Sequence, residues 1–230
     1  DSAAGKESSG SKPVDAGYFA LLAYQERMKQ LPEAKRSDWL NTQKDSSLRY
    51  AQAFPADKNT VPVLQNITAQ YLSLKQFAVV SQLAQTMLAL PSLSPADRKT
   101  ASILLANAEY DQNHWQPAEK AYRQVLALGS LNVTETTHYQ NQLAATIYQQ
   151  ADQARTSNQA AEASRLYLLA SSTTQDDKVR VDAAYQAAAV FGDQATALPL
   201  LQSFYARYPA SAQAEGIPER IVSLQEKASD

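Results

Sequence analysis

Four times along this chain a small residue holds the same place relative to a polar turn before it and two apolar positions after it. Lys75-Gln76-Phe77 leads to Val80, Ala84 and Met87, and Asn113-His114-Trp115-Gln116-Pro117-Ala118 leads to Tyr122 and Val125. Ser157-Asn158-Gln159-Ala160-Ala161-Glu162-Ala163 leads to Tyr167 and Ala170, and Gly192-Asp193 leads to Ala197, Leu201 and a closing Pro209. A unit repeated at this scale cannot bury its own apolar face, so neighbouring copies must stack to make a core. The small residue lets two helices approach, and the large ones fill the space beside the contact. From Asp15 onward apolar residues recur every three to four positions and no stretch alternates with period two, so the pattern predicts an all-α fold.

Prolines, glycines and capping residues divide that pattern into about eleven helices: 15–30, a second ending at 54, 61–74, 76–90, 95–112, 115–128, 134–156, 158–171, 176–191, 194–208 and 218–227. Leu31-Pro32 stops the first and Pro55 the second, because proline cannot continue a helix. Thr60 is expected to cap the third. Ser94-Pro95-Ala96-Asp97 joins a capping hydroxyl, a proline preset for the first helical position and a carboxylate suited to the helix dipole. Gly129 closes the helix before it. The expected organisation is a disordered Ser/Gly/Lys-rich tether over 1–14, an atypical hairpin over 15–57 as a cap, degenerate repeats over 58–209 and a capping helix within 210–230. The small position steps by 38 residues from Val80 to Ala118, 45 from Ala118 to Ala163 and 34 from Ala163 to Ala197.

These residues resemble the tetratricopeptide repeat (TPR) family, whose usual period is the last of those three steps. The resemblance covers about Val61 to Pro209 and implies a right-handed superhelical solenoid of antiparallel helix pairs with a concave binding groove. The ending Arg207-Tyr208-Pro209-Ala210-Ser211 is similar to that of TPR proteins and lipoproteins of the bacterial envelope. It implies a periplasmic or envelope-associated protein, with the cytoplasm as the alternative, and a lipid or membrane anchor upstream of residue 1 would suit the tether.

Composition removes several functions. A net charge of −2 and no basic run longer than Lys35-Arg36 give no field to condense on phosphate, which argues against nucleic acid. Cysteine is absent, and with it disulfides, thiolate catalysis and cysteine zinc sites. No apolar stretch reaches the length of a membrane span. The two histidines, His114 and His138, are too few for a multi-histidine metal site, and no G-x-S-x-G nucleophile turn or glycine-rich phosphate loop occurs. Asp176, Asp177 and Asp182 lack calcium-loop spacing, and the first two open a helix, where carboxylates favour the dipole. The sequons at Asn66 and Asn132 read as chance. No cofactor, metal or catalytic residue is expected.

Most tyrosines, including Tyr71, Tyr122, Tyr167 and Tyr205, fall where a TPR packs its own helices. The resemblance carries the groove positions onto Gln65, Ala69 and Leu72; Ile103, Asn107, Tyr110 and Asp111; Tyr148, Asp152 and Arg155; and Asp182, Gln186 and Val190. Aromatics flanked by amides and one arginine can stack on and hydrogen-bond to an extended or helical peptide. The groove lacks the paired lysines and arginines with which some TPR domains clamp a terminal carboxylate. The expected function is therefore a non-catalytic adaptor or scaffold for a protein partner in envelope assembly or organisation. A carbohydrate or peptidoglycan-associated module using Trp39, Trp115, Tyr110 and Tyr148 as stacking platforms is the alternative, and an enzyme of unrecognised type the third choice.

Overall fold

The structure is a computed structural model that describes residues 11–230; the greater part of the expected tether lies outside the described residues. Twelve helices and no strand occur among them: α1 (Ser11–Gln30), α2 (Glu33–Ala53), α3 (Thr60–Ser73), α4 (Phe77–Leu88), α5 (Pro95–Asp111), α6 (Trp115–Ala127), α7 (Val133–Thr156), α8 (Ala160–Thr173), α9 (Asp177–Ala189), α10 (Ala197–Arg207), α11 (Pro209–Ala214) and α12 (Ile217–Ser229). Contacts divide the chain into two compact units, one ending at Ala108 and the other beginning at Glu109, so the boundary falls within α5. In the first, α1 packs on α2, α2 on α3 and α3 on α4. In the second, α6 packs on α7, α7 on α8, α8 on α9 and α9 on α10, while α10, α11 and α12 pack together. Consecutive helices in contact are what a helical repeat produces.

The repeat frame is visible twice over, in side chains and in backbone. Val80, Ala118, Ala163 and Ala197 are all fully buried, as are Ala84, Tyr122, Tyr167 and Leu201 four residues on. Five residues before each small position the chain turns through the left-handed region, at Lys75 (φ 55°), Asn113 (φ 60°), Asn158 (φ 58°) and Gly192 (φ 57°). Three of these turns share one hydrogen-bond pattern. Lys75 N donates to Leu72 O and Gln76 N to Tyr71 O; Asn113 N to Tyr110 O and His114 N to Glu109 O; Asn158 N to Arg155 O and Gln159 N to Ala154 O. This is the Schellman closure, which satisfies the last helical carbonyls and needs one left-handed residue. Asparagine and glycine enter that region at little cost, whereas lysine does not.

The first unit's core is mainly aliphatic: Leu40, Leu64, Ile67, Val80, Leu83 and Met87 surround Tyr71, whose hydroxyl reaches Asn41 Oδ1 at 2.6 Å. A smaller cluster of Leu21, Tyr50 and Val63 joins α1 to α2 and α3. In the second unit Leu201, Phe204, Ala212, Ile217, Ile221 and Leu224 bury α10 against α11 and α12.

Several boundaries differ from the sequence reading. Helix α1 begins at Ser11 and not at Asp15, because Pro13 falls in the first turn, where no amide hydrogen is needed. Thr60 is the first residue of α3 and not its cap; its hydroxyl donates to Phe54 O at 2.5 Å. Asn132 is no idle sequon: its side chain accepts from Glu135 N while Glu135 Oε1 accepts from Asn132 N, a capping box that starts α7. Pro209 ends α10 but also opens α11, since proline suits a first helical position, and this accounts for the twelfth helix. Tyr205 is 37% exposed, and its neighbour Phe204 takes the buried position, four-and-three in phase with Ala197 and Leu201.

Candidate groove along the first helices

In the first unit the expected groove residues lie on α3 and α5. Gln65 is half-buried and its Nε2 donates to Asp97 Oδ1 at 3.0 Å, tying α3 to the start of α5, where Ser94 Oγ caps the Asp97 amide. Ala69 and Leu72 are exposed, and Ile103 and Asn107 are half-buried.

The second unit brings four of the remaining residues together. Tyr148 on α7 donates its hydroxyl to Asp182 Oδ2 on α9 at 2.5 Å, and its ring meets the buried Tyr167 of α8 edge-on at 5.1 Å. Tyr167 in turn donates to Asp152 Oδ1 at 2.5 Å, and Arg155 Nη2 stands 3.6 Å from the same carboxylate oxygen. Burial first, then the hydrogen bond to a carboxylate and its negative charge, push the phenols of Tyr148 and Tyr167 well above their ordinary range. Both are held protonated as donors, and together they bind α7, α8 and α9 into one arrangement. Tyr148 and Arg155, expected as free anchors, therefore have their polar ends engaged within the fold.

Tyr110 is likewise drawn inward. Its ring packs edge-on against Trp115 at 5.2 Å and Tyr122 at 6.4 Å, and Tyr122 stacks on Tyr139. Beside it, the carboxylate of buried Glu109 accepts from His114 Nδ1 at 2.7 Å, which fixes the turn before α6 and gives His114 a structural task. Asp111 is exposed; Gln186 and Val190 are half-buried, Val190 lying against the α10–α12 core.

Two clefts of about 490 Å³ each open on the second unit. One lies between α7 and α9, lined by Ala145, Tyr148, Gln149, Lys178, Val179 and Asp182. The other lies between α9 and α11 beside α10, with Val181, Tyr185, Phe204 and Ala214 as apolar lining and Asp177, Asp182 and Glu215 among its polar side chains. Lys178 and Asp182 line both, so the clefts adjoin across that pair. Both volumes fall within the range of sites that enclose small ligands or single anchoring side chains. Of their lining only Tyr148 and Asp182 were read from the sequence as site residues. Lys178, Val181 and Tyr185 share a helical face with Asp182, a signal the spacing could have given. Phe204 falls within the expected helix 194–208 but reads there as packing, whereas Ala214 and the adjoining Glu215 belong to a helix, α11, that the pattern does not signal.

The other candidate constellations resolve into local structure. Asp176 Oδ1 accepts from the amides of Lys178 and Val179 as the cap of α9, and Asp177 pairs with Arg180. Among the described residues no group of three His, Asp or Glu side chains could hold a metal ion, and no helix is long and apolar enough to cross a membrane. No protein-family model matches this chain, and no curated protein matches it.

Proposed function

We propose that this protein is a non-catalytic adaptor built as a TPR-like, right-handed superhelix of helix pairs, holding a protein or peptide partner along the face formed by the first helices of its repeats. The observation that carries the reading is the pair of adjoining clefts on α7, α9, α10 and α11, each lined by both apolar and polar side chains. A peptide bound there would set apolar side chains into the clefts while its backbone met the rim. The resemblance of the Arg207-Tyr208-Pro209 ending supports a bacterial envelope location. Cell fractionation tests that location, and recovery in the cytoplasm would reject it.

The carbohydrate alternative needs open ring faces, and its platforms are largely spent on packing. Trp115 is buried, Trp39 lies edge-on to Tyr24 and donates its indole N–H to Tyr24 O, and Tyr110 covers Trp115. The test of the adaptor reading is a photo-crosslinking amino acid placed singly at Gln149, at Ala214 and at Gln124 in the producing cell. Gln124 is exposed on α6 and lines neither cleft. The same protein partner should be trapped from Gln149 and Ala214 and not from Gln124. Trapping from Gln124 alone, or no protein adduct at any position, would reject the reading.

A further inference from the structure

We infer that the α9–α11 cleft selects a peptide segment in which a lysine or arginine stands close to a large apolar residue. This rests on the adaptor reading and adds to it the chemistry of the partner. The argument begins with the charges around the cleft. Among the described residues, of its three carboxylates Asp177 pairs with Arg180, Asp182 accepts only the neutral Tyr148 hydroxyl, and Glu215 forms no ion pair. A single cation, Lys178, stands against the last two. The cleft thus carries an excess of negative charge beside the apolar side chains of Val181, Tyr185, Phe204 and Ala214. An apolar side chain entering the cleft among them would bring its neighbours near Asp182 and Glu215, where a cation is favoured and a carboxylate repelled.

The Tyr148 hydrogen bond sharpens this. It holds Asp182 in one position at the junction of the two clefts, so the carboxylate needs no reordering to meet a cation. An acidic segment would have only Lys178 as a partner and would leave Asp182 facing like charge.

Panning a phage-displayed dodecapeptide library on the immobilised full chain tests the inference, with recovered peptides synthesised, fluorescein-labelled and titrated by anisotropy. Recovered sequences should place Lys or Arg within a few positions of Phe, Trp, Leu, Ile or Met. The double variant Asp182→Asn, Glu215→Gln keeps the acceptor for Tyr148 and the side-chain shapes, and should weaken binding roughly tenfold. Ala214→Trp, at an exposed position, should fill the cleft and abolish binding at unchanged helicity. Binding by the native chain should weaken as salt rises. Enrichment of acidic or uncharged peptides, or basic ones that bind the double variant equally well, overturns the inference while the adaptor reading stands. Failure to enrich any peptide over bare support overturns both.

Discussion

The helix pair α3–α4 and the helix pair α7–α8 share one repeat frame and hold themselves together by different chemistry. At the position four residues after the small one, α4 has Ala84 and α8 has Tyr167, both fully buried. Around Ala84 the core is mainly aliphatic, with Leu64, Ile67, Leu83 and Met87 filling the space by shape and Tyr71, hydrogen-bonded to Asn41, as its one phenol. Around Tyr167 stand two phenols and two carboxylates in matched pairs, a part-buried bond from Tyr167 to Asp152 and a more exposed one from Tyr148 to Asp182. An aliphatic contact tolerates small slides of one helix on another, whereas a hydrogen-bonded phenol and carboxylate fix both distance and direction. The clefts adjoin the second kind of pair. A surface that must present Asp182 in one place benefits from that precision.

The comparison predicts mutational effects of graded size. Leu83→Ala should cost the most, about 2–5 kcal/mol, as a cavity in a side chain wholly cut off from solvent. Chemical denaturation at neutral and at alkaline pH should return the same penalty, and a pH-dependent one would show that the first pair is not held by shape. Ala118→Trp should cost about 3 kcal/mol, the upper end of what overpacking does, because the alanine lies at zero exposure in the shared frame. Gln116→Ala, two residues away and exposed, should leave the melting temperature unchanged. Equal melting temperatures for these two variants would mean that the frame is misplaced.

Next in size is Tyr167→Phe, expected near the low end of the 1.5–3 kcal/mol typical of a hydrogen bond to a charged group, since Asp152 keeps Arg155 beside it. Here the pH dependence has a definite sign. A phenol whose folded pKa is raised stabilises the fold fully below its unfolded value of about 10, and that contribution is lost as pH rises through the folded value. Stability of the native chain should therefore fall above about pH 10, with Tyr148 and Tyr167 among the causes and Tyr122, pushed up to about 12 by burial, another. The Phe variant should show a shallower alkaline loss. An unchanged slope would detach Tyr167 from the pH response.

The smallest expected effect concerns the turns. Lys75→Asn should stabilise by about 1 kcal/mol and Asn158→Lys should destabilise by a similar amount, since the two occupy the same left-handed position. Both changes moving stability the same way would show that side-chain contacts, and not backbone conformation, govern these turns.

The sequence made the frame legible because its signals are local. Pro32, Pro55, Ser94-Pro95 and Gly129 act on their own turns, and Ala118 or Ala163 is small for a reason that recurs within a few residues. Asn132 with Glu135 was a local signal as well, and it passed as a sequon. The site was less legible because its decisive contacts are distant in the chain. Tyr148 and Asp182 are 34 residues apart, and nothing in the spacing says that one will consume the other's hydrogen-bonding capacity. Tyr110 reads as a groove aromatic until its ring is seen to pack on Trp115 and Tyr122. Pro209 stops one helix and starts another with the same ring, so the residues of α11 that wall the second cleft had no place in the reading.

Hydrogen–deuterium exchange of the full chain with and without a panned peptide tests the central claim most directly, because it reports every helix at once. The account predicts slowed exchange over 145–149, 177–185 and 211–215, and no change over 120–127 on α6. Protection confined to α6 and the outer surface of α8, with α9 and α11 unaffected, would contradict it.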